Sequence, residues 1–303
     1  MDPGFWWLVN LNIVTGSSKI LAVMFGGIKH HRLAFSKLFK QRINMMMKLG
    51  FIGIGRIACA VVKGLGTSNI KNTTINLSPR NDKNSSYLAK KFSNVNRLES
   101  NQLVLDNSDI IFISVPPKVS KEILNSLKFK ETHTVISFIP FLIFSELVEA
   151  VKPASKVSRA IPLPTVVNHN CPIPILNSDK TITKLISYIG QPLLLENENQ
   201  LHVLWTLTGF IASFYDLLKE LSAWTTSNGV NEQIANKYIV DMFHSLTFSA
   251  KEGNQIDFDE LVKHATTPNG LNEQALKELQ EKRVHEVYKI TADKLLKRFL
   301  INL

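Results

Sequence analysis

The sequence predicts an α/β fold in two parts: a mostly parallel sheet wound with helices, then an all-helical region. Three observations predict it. Between positions 48 and 198, short apolar runs alternate with amphipathic stretches, the pattern of βαβ units. One run, 109–115, is apolar almost throughout (Ile110-Ile111-Phe112-Ile113), as a strand buried on both faces must be. From about Asn199 the strand pattern stops and helical spacing takes over.

Lys48-Leu49-Gly50-Phe51-Ile52 reads as the first strand, ending at Gly53. Ile57, Val61 and Leu65 follow at helical spacing, and Gly66 stops that helix. A strand is predicted over 74–77 and a helix over 85–92. After strand 109–115 come a helix over 118–127, a strand over 134–138, a helix over 141–151 and a strand over 157–161. Pro162, Pro164, Pro172 and Pro174 then restrict the chain to turns and short edge strands, because proline gives no donor to a ladder. A helix over 181–189 and a strand at Leu193-Leu194-Leu195 end the sheet. Helices are predicted over 200–226, 231–251, 257–265, 271–282 and 284–300. The first carries Leu201, Leu204, Leu207, Ile211, Phe214, Tyr215, Leu218, Leu221 and Trp224, apolar on more than one face. Such a helix needs cover on several sides, so a partner subunit is expected. The domains are therefore an extension over 1–47, a sheet domain over 48–198 and a helical domain over 199–303.

The formal net charge is +10. Residues 1–47 hold six Lys/Arg against Asp2, leaving 29 basic and 24 acidic residues elsewhere. That spread excess has no basic run, so it reads as solubility and attraction for anionic ligands, with no nucleic-acid partner expected. Cys59 and Cys171 form no C-x-x-C pair, and His169 with Cys171 makes only two ligands, so no disulfide framework and no metal are expected. The apolar stretch from Ile20 to Ile28 is about half of a membrane span, and no membrane partner is expected. The extension stays open among a targeting peptide, an added amphipathic arm and a start placed upstream of Met45-Met46-Met47. The expected location is cytoplasmic, or mitochondrial if 1–47 is a transit peptide.

Gly53-Ile54-Gly55-Arg56-Ile57-Ala58 matches G-x-G-x-x-[G/A] between a strand and a helix, the context of a Rossmann dinucleotide-binding domain. Gly53 allows the tight turn, Gly55 lets backbone N–H groups approach a pyrophosphate, and Ala58 keeps helix and strand close. The helix start supplies free donors and a positive dipole end. Enzymes that take NAD usually end the second strand with an acid on the ribose 2′-hydroxyl. Here that strand ends Leu77-Ser78-Pro79-Arg80-Asn81, with no acid before Asp82. Arg80 is suited to a 2′-phosphate, and Ser78 and Asn81 offer hydrogen bonds. NADPH is the expected cofactor, with NADH possible.

From 48 to the end the chain resembles the pyrroline-5-carboxylate reductases. Lys48 to Gly55 and Lys63-Gly64-Leu65 are close to that family's opening. Val115-Pro116-Pro117 stands for its "V-K-P" turn, Arg159-Ala160-Ile161-Pro162-Leu163-Pro164 for "R-x-M-P-N-T-P", and Thr266-Thr267-Pro268-Asn269-Gly270 for "T-S-P-G-G". The resemblance implies hydride transfer from NADPH to the C=N carbon of a cyclic imino acid. It also implies a homodimer or higher homo-oligomer built through the helical domain, with substrate between the nicotinamide and the dimer's helices. Val115, Pro116 and Pro117 then join Gly53, Gly55, Arg56, Ile57, Ala58, Ser78 and Arg80 at the cofactor. Thr208, Thr266, Thr267, Asn269, Gly270 and Asn272 fall at the substrate, with Thr267 and Glu273 as the catalytic candidates. Glu273 is open between holding an iminium and complementing a helix dipole.

The chain departs from the family at several points. Leu163 replaces an asparagine and Pro116 a lysine; Leu207-Thr208-Gly209-Phe210-Ile211 replaces a glycine-serine loop, and Leu271-Asn272 two threonines. Trp205 and Tyr215 have two readings, facing the substrate or, in preference, core packing. His202 and His244 are read as core or surface groups, and Cys59 as small-residue packing. Two alternatives remain. A hydroxyacid dehydrogenase needs a helical lysine with asparagine four residues on, yet Lys219 is followed by Ala223 and Lys237 by Asp241. A non-catalytic NADP-binding regulator is the other.

Overall fold

A computed structural model describes residues 46–251 and 256–300. The chain divides into two units, Met1–Met46 and Met47–Leu303. The readings made for the extension lie outside the described residues.

The second unit opens with an eight-stranded sheet in the order β3-β2-β1-β4-β5-β6-β7-β8. Its strands are β1 (Met47–Ile52), β2 (Thr73–Leu77), β3 (Val95–Arg97), β4 (Ile110–Ile113), β5 (Thr134–Ser137), β6 (Lys156–Ala160), β7 (Cys171–Leu176) and β8 (Gly190–Leu195). The helices between them are α1 (Arg56–Thr67), α2 (Asp82–Lys91), α3 (Asn101–Asp106), α4 (Pro117–Asn125), α5 (Phe144–Ala150) and α6 (Lys180–Ser187). All four residues of β4 are buried, and Phe51 stacks on Phe112 across the β1–β4 pair at 4.4 Å. The sheet separates two apolar layers. One contains Leu49, Val61, Ile75 and Ile175, and the other Ile52, Leu105, Ile111 and Val135.

Two differences from the sequence reading have local causes. The segment 95–106 holds a strand and a helix, β3 and α3, of three and six residues, too short to give a period. β7 is an interior strand despite Pro172 and Pro174, contrary to the edge placement expected for them. It runs antiparallel to β6, meeting it only at Arg159↔Leu176 and Ala160↔Ile175, and parallel to β8. The Pro174 carbonyl accepts from Ile161 N on the β6 side. A residue's N and O point the same way from a strand, so both proline nitrogens face the side where β6 has largely ended. The antiparallel turn follows from length: a short 3₁₀ segment, Pro164–Asn168, joins β6 to β7 and is too brief for a parallel crossover.

The helical part comprises α7 (Glu198–Leu207), a 3₁₀ turn (Thr208–Phe210), α8 (Ile211–Ser227), α9 (Glu232–Ser249), α10 (Phe258–Ala265), α11 (Leu271–Glu281) and α12 (Val284–Leu300). Glu198–Ser227 is one continuous helical run. Among the described residues it alone is long and apolar enough to cross a membrane by length and composition, and little of it is buried. α7 docks on the sheet through Leu201 against Ile161 and Leu176. α12 returns to α7, with Phe299 packing on Phe141, His202 and Trp205. α10 and α11 bury none of their residues, and Trp224, Tyr238, Phe248 and Phe258 are all exposed.

Candidate cofactor and substrate site

The sheet order places the switch between β1 and β4, where open α/β sheets bind ligands beyond the strands' carboxyl ends. Gly53 leaves β1 with φ 87°, a left-handed conformation that glycine accepts without strain. A Cβ there would lie 2.6 Å from the Ser114 carbonyl. Gly55 caps α1, and a Cβ on it would meet nothing within 4 Å. The first turn of α1 has no side-chain cap and no acid. Its N–H groups therefore remain available to an anion, and the open space at Gly55 is where a phosphate can approach. Ala58 is fully buried, while Arg56 is exposed at the loop's mouth. The donor set fits a dinucleotide pyrophosphate.

The second strand's turn is tied to this loop. Ser78 Oγ accepts from Gly53 N at 2.9 Å and Ser78 is fully buried. This corrects its assignment to the cofactor: it shapes the phosphate loop from behind. Asn81 sits at φ 65° and caps α2 by accepting from Asn84 N; Asn84 Nδ2 in turn donates to Ile54 O at 2.9 Å. Arg80 is exposed on this turn. Val115 is buried behind Gly53, within reach of its missing Cβ, so its side chain packs the loop and does not face a ligand. Pro116 and Pro117 are exposed, as the cap and first residue of α4.

Beside the loop lies a cavity of about 290 Å³, lined by Arg56, Ile57, Phe138, Pro140, Ala160–Leu163, Pro164, Trp205, Thr208 and Ile211. Trp205 packs against the Ile161–Leu176–Leu201 cluster and Phe299, as its core reading expects, and also lines this cavity. The Thr208 hydroxyl donates to the Trp205 carbonyl at 2.7 Å. Tyr215 is exposed along the groove between α8 and α9, which corrects its core reading for the single chain.

The turn between α10 and α11 departs most from its predicted role. Asn269 has φ 59°, and its N–H donates to Glu273 Oε2 at 2.8 Å. Gly270 N donates to the Thr267 carbonyl at 2.9 Å. The Thr266 hydroxyl donates to Val262 O, and Asn272 Nδ2 to Ala265 O. The Thr266 hydroxyl and the Asn272 amide are therefore used within the turn and not turned to a ligand, whereas at Asn269 it is the backbone N–H that the turn uses. Glu273 also pairs with Lys277 at 2.9 Å. Lys277, and then the Asn269 N–H, hold its carboxyl below the usual carboxylate range. These contacts are those of an acid complementing the helix terminus, the second of its two readings. Thr267 and Gly270 keep exposed surface, and the backbone donors of the first turn of α11 point out of the fold. This turn does not line the cavity of its own chain.

A buried charge to which the sequence reading gave no role joins the two halves. Arg159 on β6 is fully buried and forms an ion pair with Glu198 at the start of α7. It donates to Ile139 O at 3.1 Å and lies 5.2 Å over the Trp205 ring. Glu198 also accepts from Phe144 N at 2.8 Å. Burial pulls the Arg159 guanidinium below its ordinary range against the attraction of Glu198. His202, beside the pair, is lowered by burial and then by Arg159, in keeping with a neutral core histidine. The sequence signal for Arg159 was its place at a strand end, as the first residue of the segment matched to "R-x-M-P-N-T-P", with nothing to show its partner. Lys219 pairs with Asp216 and Glu220, and Lys237 with Asp241, so neither lysine is placed as a dehydrogenase acid.

Residues 48–140 match the family described as NADP oxidoreductase, coenzyme F420-dependent, and residues 198–299 match pyrroline-5-carboxylate reductase dimerisation. Pyrroline-5-carboxylate reductase of Pseudomonas aeruginosa is 22% identical over 245 residues, covering 77% of this chain and 88% of the relative. The solved reductase of Streptococcus pyogenes superposes with TM-score 0.72 at 18% identity, covering 84% of this chain and 98% of that one. The Plasmodium falciparum pyrroline carboxylate reductase, solved with NADP bound, gives 0.74 at 18%, with the same coverage of both chains. With both halves matched in order, this chain belongs to the pyrroline-5-carboxylate reductase family of oxidoreductases, as a divergent member.

Proposed function

We propose that this protein reduces the C=N bond of a cyclic imino acid with NADPH, converting pyrroline-5-carboxylate to proline or acting on a close relative, as a homodimer or larger homo-oligomer. The observation that carries the proposal is the cavity beside the phosphate loop, walled by Ile161-Pro162-Leu163 and Trp205 and left without the α10–α11 turn of its own chain. NAD(P)H is the cofactor, with the pyrophosphate on the first turn of α1 and the 2′-phosphate of NADPH at Arg80. When bound, the reduced nicotinamide supplies the hydride. The apolar wall of Phe138, Pro140, Ile161 and Leu163 excludes water from the transfer. Arg159 and Glu198 fix α7, and with it Trp205 and Thr208, against the sheet. The exposed faces of α8 to α11 meet a second copy, whose α10–α11 turn covers the cavity and offers the free N–H groups of the first turn of α11 to a carboxylate. A C=N carbon is already electrophilic once protonated, so position and field supply most of the effect.

The test is NADPH oxidation by the purified protein with a panel of cyclic imines, with and without a carboxylate, and with 2-keto acids. Turnover is expected with carboxylated cyclic imines. Turnover confined to keto acids would favour the dehydrogenase reading, and cofactor binding without turnover on any substrate would favour a regulator.

A further inference from the structure

Arg97 closes β3 and lies opposite Leu77 in the β2–β3 ladder, which sets it beside the turn that carries Arg80. Its Nε donates to Ser85 Oγ at 3.2 Å, and one terminal nitrogen pairs with Asp82 Oδ1 at 3.0 Å and reaches the Pro79 carbonyl at 3.5 Å. It therefore touches both flanks of the turn at Arg80. Asp82 is the first acid after β2 and opens α2, with its side chain 75% exposed. An acid near the end of the second strand attracts a ribose 2′-hydroxyl and repels a 2′-phosphate. The Arg97 cation lies against that acid.

We propose that Arg97 is a specificity-determining residue for the phosphorylated dinucleotide. It neutralises Asp82, so that the turn favours a 2′-phosphate over a free 2′-hydroxyl. The inference rests on the reading that NADPH places its 2′-phosphate at Arg80. Arg97 is a positioning residue, acting through Asp82 and the turn. Asp82 is largely exposed and Arg97 partly so, at 75% and 36%. Ion pairs that reach solvent add little to stability, and Arg97→Gln keeps a donor for Ser85, so the variants are expected to keep the fold, which thermal unfolding checks.

The test is titration of NADPH and NADH, by cofactor fluorescence, into four full-length proteins: native, Arg80→Ala, Arg97→Gln, and Arg97→Gln combined with Asp82→Asn. Arg97→Gln is expected to weaken NADPH by about three- to tenfold, the scale of one partly screened charge. NADH should hold or tighten, and Asp82→Asn in the same chain should restore most of the NADPH affinity. Equal weakening of both cofactors, unchanged NADPH affinity, or no rescue by Asp82→Asn overturns the inference while leaving the Arg80 reading intact. A native protein that binds both cofactors alike, or an Arg80→Ala variant with undiminished NADPH affinity, overturns the Arg80 reading and the inference with it.

Discussion

The sheet and the helices that follow it handle apolar residues in opposite ways. In β4 every side chain is covered by the chain itself, and the layers on both faces close around it. In α10 and α11 no residue is buried, with Phe258 and Leu271 71% and 86% exposed, and Trp224 of α8 is 66% exposed. Burial of apolar surface is the main favourable term in folding, so the first region encodes a core and the second a surface for a second copy. The site lies along the seam, where β6 meets α7.

The largest effect is expected at that seam. Arg159→Ala leaves Glu198 with its buried cation gone, and truncating one partner of a buried ion pair costs about 3–5 kcal/mol. Denaturant unfolding should show that loss together with loss of turnover. Retention of native stability would mean that the two halves are joined by apolar packing alone.

Next comes the exposed surface itself. Trp224→Asp with Tyr238→Asp places charge on two exposed aromatic positions. The pair should weaken self-association by about 2 kcal/mol or more, roughly thirtyfold. Sedimentation should then show monomer that still binds NADPH through the sheet domain. An unchanged oligomer would move the interface elsewhere on the helices.

The smallest effect is a pH dependence at the same seam. Burial lowers His202 from its ordinary value of 6.5, so the unfolded chain binds the proton more readily than the folded one. Stability from this site is complete above that value and falls as pH drops below it. Thermal scans of the native protein and His202→Gln should diverge in slope below pH 6.5, the variant being flatter. Parallel slopes would place the acid sensitivity in another group, such as buried His133, which is shifted in the same direction.

The same contrast explains what could be read from the sequence. The phosphate loop was legible because Gly53 and Gly55, two positions apart, and Ala58 fall within six consecutive residues between a strand and a helix, and the missing side chains at the two glycines are what the turn and the open approach require. The helices of 200–300 were legible from spacing, and their apolar excess pointed to a partner. What escaped the sequence depends on distant contacts. Ser78 reads as a ligand group until its bond to Gly53, 25 residues away, is seen. Arg159 acquires meaning only from Glu198 and Trp205, and Arg97 only from the β2–β3 register. The edge rule for proline failed at β7 because it depends on which side of a strand the nitrogens face. The polar residues of 266–273 were assigned to a ligand by resemblance, whereas the Thr266 hydroxyl, the Asn272 amide and the Glu273 carboxylate bond within the turn around Asn269.

The central claim is that one copy's cofactor site is completed by another copy's α10–α11 turn. It is tested by mixing two inactive proteins. Gly55→Val fills the space kept open for the pyrophosphate, and Gly270→Val crowds the turn against Thr267. Each alone should lose the NADPH-dependent reduction of whichever cyclic imine the native protein turns over. Co-refolded in equal amounts as random dimers, they form mixed dimers in which one of two sites pairs an intact loop with an intact turn. Activity should then return to roughly a quarter of the native value. If both sites were built within single chains, every site in the mixture would carry a defect. A mixture as inactive as its components would therefore contradict the account.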